Sequence, residues 1–87
     1  MGEQYEVLVE LKQEVLDTEG RAILDALHRL GHDSVKNIRV SKRFVVDLNA
    51  SSVDNGTVVE TIASEVLANP VSQTIKIRAI DDHDQGQ

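Results

Sequence analysis

Residues 35–48 read V-K-N-I-R-V-S-K-R-F-V-V-D-L, and the division of this stretch decides the fold. Ile38 and Val40 alternate with polar residues. Phe44, Val46 and Leu48 then do the same, which is the two-residue period of half-buried strands. Ser41, Lys42 and Arg43 lie between them, few enough for a hairpin turn. That division predicts two strands, one over Val35–Val40 and one carrying Phe44, Val46 and Leu48. No Asn-Gly or Asp-Gly pair marks the turn, so one long strand with a bulge is the alternative.

Working outward, the segment from Glu3 to Lys12 alternates with Tyr5, Val7, Val9 and Leu11 on one face. Asp17 suits an N-cap. Ile23, Ala26, Leu27 and Leu30 then recur at helical spacing, and Gly31 supplies a left-handed stop, so a helix is expected over Thr18–Leu30. Gly20 in its first turn costs about 1 kcal/mol relative to alanine, and a close backbone approach is one reason to keep it. Downstream, Ser51 and Ser52 can cap a second helix carrying Val59, Ile62, Ala63, Val66 and Leu67. Asn69-Pro70 ends it, because the residue before proline is pushed out of the helical region. Val71 to Ala79 alternates as a last strand, and an acidic, frayed tail is expected over residues 82–87 after a single domain of residues 1–81. The order strand, helix, strand, strand, helix, strand predicts an α+β fold. Its economical packing is a ferredoxin-like βαββαβ two-layer sandwich, a four-stranded antiparallel sheet with both helices on one face. The other face would then be open, with Leu8 and Val45 among charged residues, and it is the expected dimer face.

Composition removes whole classes of function. The 87 residues include no cysteine, which excludes disulfides, thiolate zinc sites and thiol chemistry. A formal net charge of -6 and only two aromatic residues, Tyr5 and Phe44, argue against nucleic acid and anionic membrane as partners. No apolar run spans a bilayer, and Met1 to Tyr5 is too polar for a signal peptide, so a cytoplasmic location is expected. A domain this small buries only a modest core, so a partner subunit is expected from size alone.

Few residues carry chemistry. His28 and His32 are four apart, but Gly31 interrupts the helix between them and a third zinc ligand is missing. Asp81, Asp82, His83 and Asp84 resemble metal ligands only on paper, since a terminal tail does not preorganise them. There is no nucleophile elbow and no phosphate-cradling glycine loop, so no catalytic, cofactor or metal residues are expected. Lys36, Arg39, Lys42 and Arg43 form the one basic cluster. It serves either as solvated edge charge that discourages aggregation or as a docking point for an acidic surface or phosphate.

Five strings in order are more specific. They are V-x-L-K at Val9–Lys12, V-L-D-T-E-G at Val15–Gly20, A-L-H-R-L-G-H at Ala26–His32, V-K-N-I-R-V-S-K at Val35–Lys42 and L-A-N-P-V at Leu67–Val71. Together they resemble the PurS family, the small subunit of phosphoribosylformylglycinamidine synthase, over about residues 5–80. The family usually has proline where Thr18 stands and glycine where Ser41 stands, and the second departure concerns the turn. The resemblance implies a non-catalytic subunit of the ligase complex that makes formylglycinamidine ribonucleotide in purine biosynthesis. ATP, magnesium and glutamine are used by the complex, not bound by this chain. The implied partners are a second copy of the chain, as homodimer or dimer of dimers, a large synthetase subunit and a glutaminase subunit, which the chain bridges to support ammonia transfer. Arg39, Lys42, Arg43, Asn69 and Pro70 are the expected contacts to a larger subunit. The alternative is a regulatory module of the same fold that binds a small metabolite.

Overall fold

The computed structural model describes residues 2–49 and 54–80. Strand β1 (Gly2–Leu11) is followed by helix α1 (Thr18–Arg29), strand β2 (Ser41–Asn49), helix α2 (Asn55–Ile62) and strand β3 (Gln73–Ile80). A π-helical turn, Ala63–Leu67, prolongs α2. The sheet is antiparallel with β1 in the centre, in the order β2-β1-β3.

The register follows the hydrophobic alternation. Val7 faces Phe44 on one side and Ile77 on the other, and Tyr5 faces Val46 and Ala79. These side chains share one face because directly opposed residues in an antiparallel pair point the same way. α2 and its π-turn lay Val59 and Ala63 onto that face, where they are fully buried with Val7, while Val9 is nearly so. Each such valine contributes on the order of 1.5–3 kcal/mol by leaving water. α2 begins at Asp54, whose carboxylate accepts from the Gly56 and Thr57 amides and the Thr57 hydroxyl. The expected caps Ser51 and Ser52 lie outside the described residues, as does the tail. Buried Asn55 ties the helix start to the sheet, its Nδ2 donating to Glu3 Oε1 at 2.9 Å and to the Asn49 carbonyl at 3.2 Å.

Three expectations are corrected. Among the described residues the sheet has three strands, not four, because residues 35–40 form no strand. Nor is there a hairpin at Ser41–Arg43, which are the first three residues of β2. The chain runs from Val40 straight into β2, as the missing turn chemistry allows. The helices also do not share one layer. α2 covers the inner face, but α1 makes no more than marginal contact with any strand or with α2. The body measures 54 × 33 × 14 Å, extended rather than rounded. Its radius of gyration is 16.6 Å, against about 12 Å for a compact chain of this length. A ten-residue strand accounts for about 33 Å of the long axis. The remainder is an arm, residues 12–40, that carries α1 away from the sheet.

Candidate functional site

The arm is held at its base by Asp17, Gly20 and Arg39; the cap at Asp17 and the close approach at Gly20 were expected, whereas the carbonyl contacts of Arg39 were not. Asp17 is buried and caps α1, Oδ1 accepting from the Gly20 amide at 2.8 Å. Its other oxygen accepts from the Val40 amide at 2.7 Å, joining the outgoing limb of the arm to the returning one. The Val40 and Gly20 amides hold the Asp17 carboxyl below its usual range, with the Arg39 guanidinium adding to the effect. Gly20 is required by contact, since a Cβ there would lie 2.2 Å from the Ile38 carbonyl oxygen. Further out, the His28 imidazole bonds the Val35 carbonyl at 2.8 Å. Gly31 takes φ +96° just past the helix, the conformation that glycine reaches without steric cost.

Arg39 belongs to the same lock. Nη1 donates to the Val15 carbonyl at 3.3 Å, and Nη2 donates to the carbonyls of Leu11 and Lys12 at 3.3 and 3.2 Å. A planar guanidinium can span three diverging carbonyls in this way. Lys42 faces inward opposite Val9 and lies at the rim of a cleft of about 260 Å³ with Leu16, Asp17, Thr18 and Glu19. Arg43 points to the other face, where it pairs with Glu6. The expected basic cluster is thus divided among three surroundings.

Asn69 and Pro70 are exposed in a tight turn. Asn69 Oδ1 accepts from the Val71 amide at 3.0 Å, and its carbonyl accepts from Ser72 and Gln73 at 3.1 and 2.8 Å. The Ser72 carbonyl accepts from the Lys12 amide, which places this turn at the sheet end where the arm departs. Arg39, Lys42 and the Asn69-Pro70 turn therefore converge on one end of the sheet. Beside Arg39 at this end, a cleft of about 330 Å³ is lined by Glu10, Lys12, Arg39, Ser41, Thr74 and Lys76, among others.

The outer sheet face carries Leu8 and Val45, as expected, but in an ion-paired setting. Glu6 stands between β2 and β3 and accepts from both Arg43 and Arg78, the latter at 3.0 Å. These two guanidiniums, Arg43 first, hold the Glu6 carboxyl below its usual range. Leu8 is half-buried between Arg43 and Lys76, and Lys76 reaches Glu10 at 3.5 Å. No group of three or more metal-ligating side chains occurs among the described residues.

The α1 stripe is left partly uncovered. Leu30 is 75% exposed and Ile23 40%, and Leu16 at the arm base is 68% exposed. The expected two-layer packing had assigned this stripe to the core. The absent turn signal at Ser41 was the one hint that it would lie elsewhere.

Comparison with known proteins places this architecture. The profile of the PurS family, described as phosphoribosylformylglycinamidine (FGAM) synthase, matches residues 4–81. This chain belongs to the PurS family. It is 42% identical over 65 residues to the phosphoribosylformylglycinamidine synthase subunit PurS of Mycobacterium leprae, covering 75% of this chain and 80% of the relative. The structure of Bacillus subtilis PurS superposes with a TM-score of 0.83 at 28% identity, covering 91% of this chain and 99% of that one. A chain of the Thermotoga maritima PurLQS structure shares the fold, with a TM-score of 0.77 at 22% identity over 92% of this chain and 99% of that one. The PurS match takes in β1, the arm, α2 and β3 alike, so the arm lies within the shared domain. Among the described residues no helix is long and apolar enough to cross a membrane.

Proposed function

We propose that this chain is the small, non-catalytic subunit of phosphoribosylformylglycinamidine synthase, acting in purine biosynthesis as a homodimer that bridges the synthetase and glutaminase subunits. The observation that carries the reading is the PurS family match over residues 4–81. The geometry suits a bridging part, with an ion-paired sheet face on one side and a long arm at one end. In this reading the end-of-sheet cluster of Lys42, Asn69 and Pro70 meets a larger subunit. Arg39 shapes that surface from within by fixing the loop carbonyls, and Arg43 with Leu8 and Val45 forms a second contact face. ATP, magnesium and glutamine are handled by the other subunits, and the assembly works in the cytoplasm.

The test is co-purification of the tagged full chain from its source lysate with glutamine, magnesium and ADP present. Recovery of the synthetase and glutaminase subunits together is the expected result. A folded bait that recovers neither overturns the bridging role, and a thermal shift with a small metabolite would then point to the regulatory module.

A further inference from the structure

The cleft of about 330 Å³ at the arm end of the sheet has no task in the proposed assembly. Glu10 of β1 stands there between Ser41 of β2 and Thr74 of β3, in one row of the outer face. Lys76 follows one row further along β3, opposite Leu8. Lys12 and Arg39 line the end where the arm departs. Three cations thus surround the cleft against one carboxylate, in a chain whose formal net charge is -6. A concavity lined by one sign of charge concentrates ions of the other sign from solution. The basic cluster of the sequence is divided by the fold, but here Arg39 gains Lys12 and Lys76 from other segments.

We propose that this cleft binds the phosphate group of a small phosphorylated molecule. The donors decide for phosphate. Arg39 spends both Nη2 hydrogens on the Leu11 and Lys12 carbonyls and one Nη1 hydrogen on the Val15 carbonyl. No parallel pair of N–H groups is left for the planar grip that an arginine gives a carboxylate. Arg39 therefore supplies a charge fixed in place, with its remaining N–H groups acting singly. Lys12 and Lys76 add point charges, the form in which lysine serves phosphate. Lys12 takes part in no ion pair among the described residues. Lys76 has an exposed pairing with Glu10 at 3.5 Å, of the kind that contributes little to stability and is given up at low cost. Ser41 and Thr74 add hydroxyls that rotate to suit a ligand. Donors converging from two strands and the arm suit a tetrahedral oxyanion rather than a flat one.

The volume sets the size of the ligand. Small-molecule sites begin at about 300 Å³, so the cleft has room for more than one phosphate group and takes a diphosphate or a phosphate ester. A recess of this kind admits a small molecule more readily than the side of a folded partner. Side chains supply the charge, so no glycine loop is required. Glu10 tempers the affinity, because its carboxylate repels an anion and must release Lys76 as the phosphate arrives.

The test uses the full chain as it assembles, with pyrophosphate, ribose 5-phosphate and citrate as separate probes. Calorimetry reads binding, and amide shifts in nuclear magnetic resonance read its place. The expected result is that pyrophosphate and ribose 5-phosphate bind, moving the amides of residues 10–13, 39–41 and 74–76 and leaving those of α1 unmoved, while citrate binds far more weakly. The tighter of the two phosphates tells a diphosphate from a phosphate ester. Lys12→Ala and Lys76→Ala should each weaken binding about tenfold. Glu10→Gln should strengthen it several-fold, a gain that no general loss of structure can imitate. None of the three replaced residues is buried, and circular dichroism checks that each variant folds. Citrate binding as tightly as pyrophosphate overturns the assignment to phosphate. Binding by no probe, or binding that Lys12→Ala and Lys76→Ala leave unchanged, overturns the site. Reduced capture of the synthetase subunit by Lys12→Ala, with no probe bound by the wild type, gives the cleft to an acidic protein surface instead.

Discussion

Replacing Gly20 with alanine sets two opposing effects against each other in one residue. Gly20 lies in the first turn of α1, where alanine is preferred by about 1 kcal/mol. Against that, the new Cβ would stand 2.2 Å from the Ile38 carbonyl oxygen and 3.0 Å from the Asp17 carboxyl carbon. Ordinary contact requires the carbonyl to retreat by about 1 Å. It cannot do so freely, because the next two residues are pinned. Arg39 grips the loop carbonyls, and the Val40 amide sits 2.7 Å from Asp17 Oδ2. Overpacking against fixed backbone costs about 3 kcal/mol at the upper end of its usual range. After the propensity gain, a net loss of about 2 kcal/mol remains. For a domain this size that lowers Tm by about 8–16 °C. The assay is thermal unfolding by circular dichroism at fixed chain concentration, with two sister variants as controls. Gly31→Ala meets nothing within 4 Å but must hold φ +96°, so it loses about 1–2 kcal/mol. Gly56→Ala meets only Asp54 Oδ1 at 3.3 Å and is expected to be neutral or slightly stabilising. A Gly20→Ala protein that melts at or above the wild-type temperature would refute the docking of residues 35–40 on α1, and with it the rigid arm.

Three further outcomes follow from the same contacts. Asp17, Glu6 and Asp54 all have carboxyls held below their usual range, so their stabilisation is complete above about pH 4 and is lost as pH falls through the lowered values. Urea midpoints at pH 7, 5 and 3 should be level and then drop, and Asp17→Asn should flatten part of that drop; an unaltered slope in that variant would remove Asp17 from the account. Arg39→Ala should destabilise the chain by about 1 kcal/mol with Arg39→Lys restoring little, because one ammonium cannot span three carbonyls. Full rescue by lysine in denaturant titrations would reduce the lock to simple charge. Lys42→Glu, which breaks no ion pair among the described residues, should leave the fold intact and weaken capture of the larger subunits about tenfold, a cost of about 1.4 kcal/mol. Undiminished capture would reject Lys42 as a contact.

What the sequence reveals here is what neighbouring residues decide among themselves. The N-cap at Asp17, the stop at Gly31, the helix end before Asn69-Pro70 and the inward row of Tyr5, Val7 and Val9 are local consequences of caps, φ preferences and pleat. The close approach at Gly20 was also legible as a reason for a costly glycine. The hairpin was not, because the alternation in residues 35–48 is the same whether the chain turns at Ser41 or runs straight. Only turn chemistry separates the two outcomes, and an absence of Asn-Gly is a weak signal. Arg39 was misread for a related reason. Its partners are carbonyls 24 to 28 positions earlier, and a charge in a sequence does not state whether it is spent on its own backbone.

The α1 stripe shows the deepest limit. Ile23, Ala26, Leu27 and Leu30 say that one face of a helix must be covered, since an apolar stripe in water is unfavourable. They say nothing about which molecule covers it. Packing within the chain and packing against a partner bury the same side chains against the same kinds of surface, so they require the same pattern. The direction of α1 is set at the joints, the 12–17 loop and the passage through Val40–Ser41. Those joints are fixed by Asp17, Gly20 and Arg39 acting together. Through their contacts with Val40, Ile38 and the 11–15 carbonyls, these three residues hold α1 where its own sheet does not cover it.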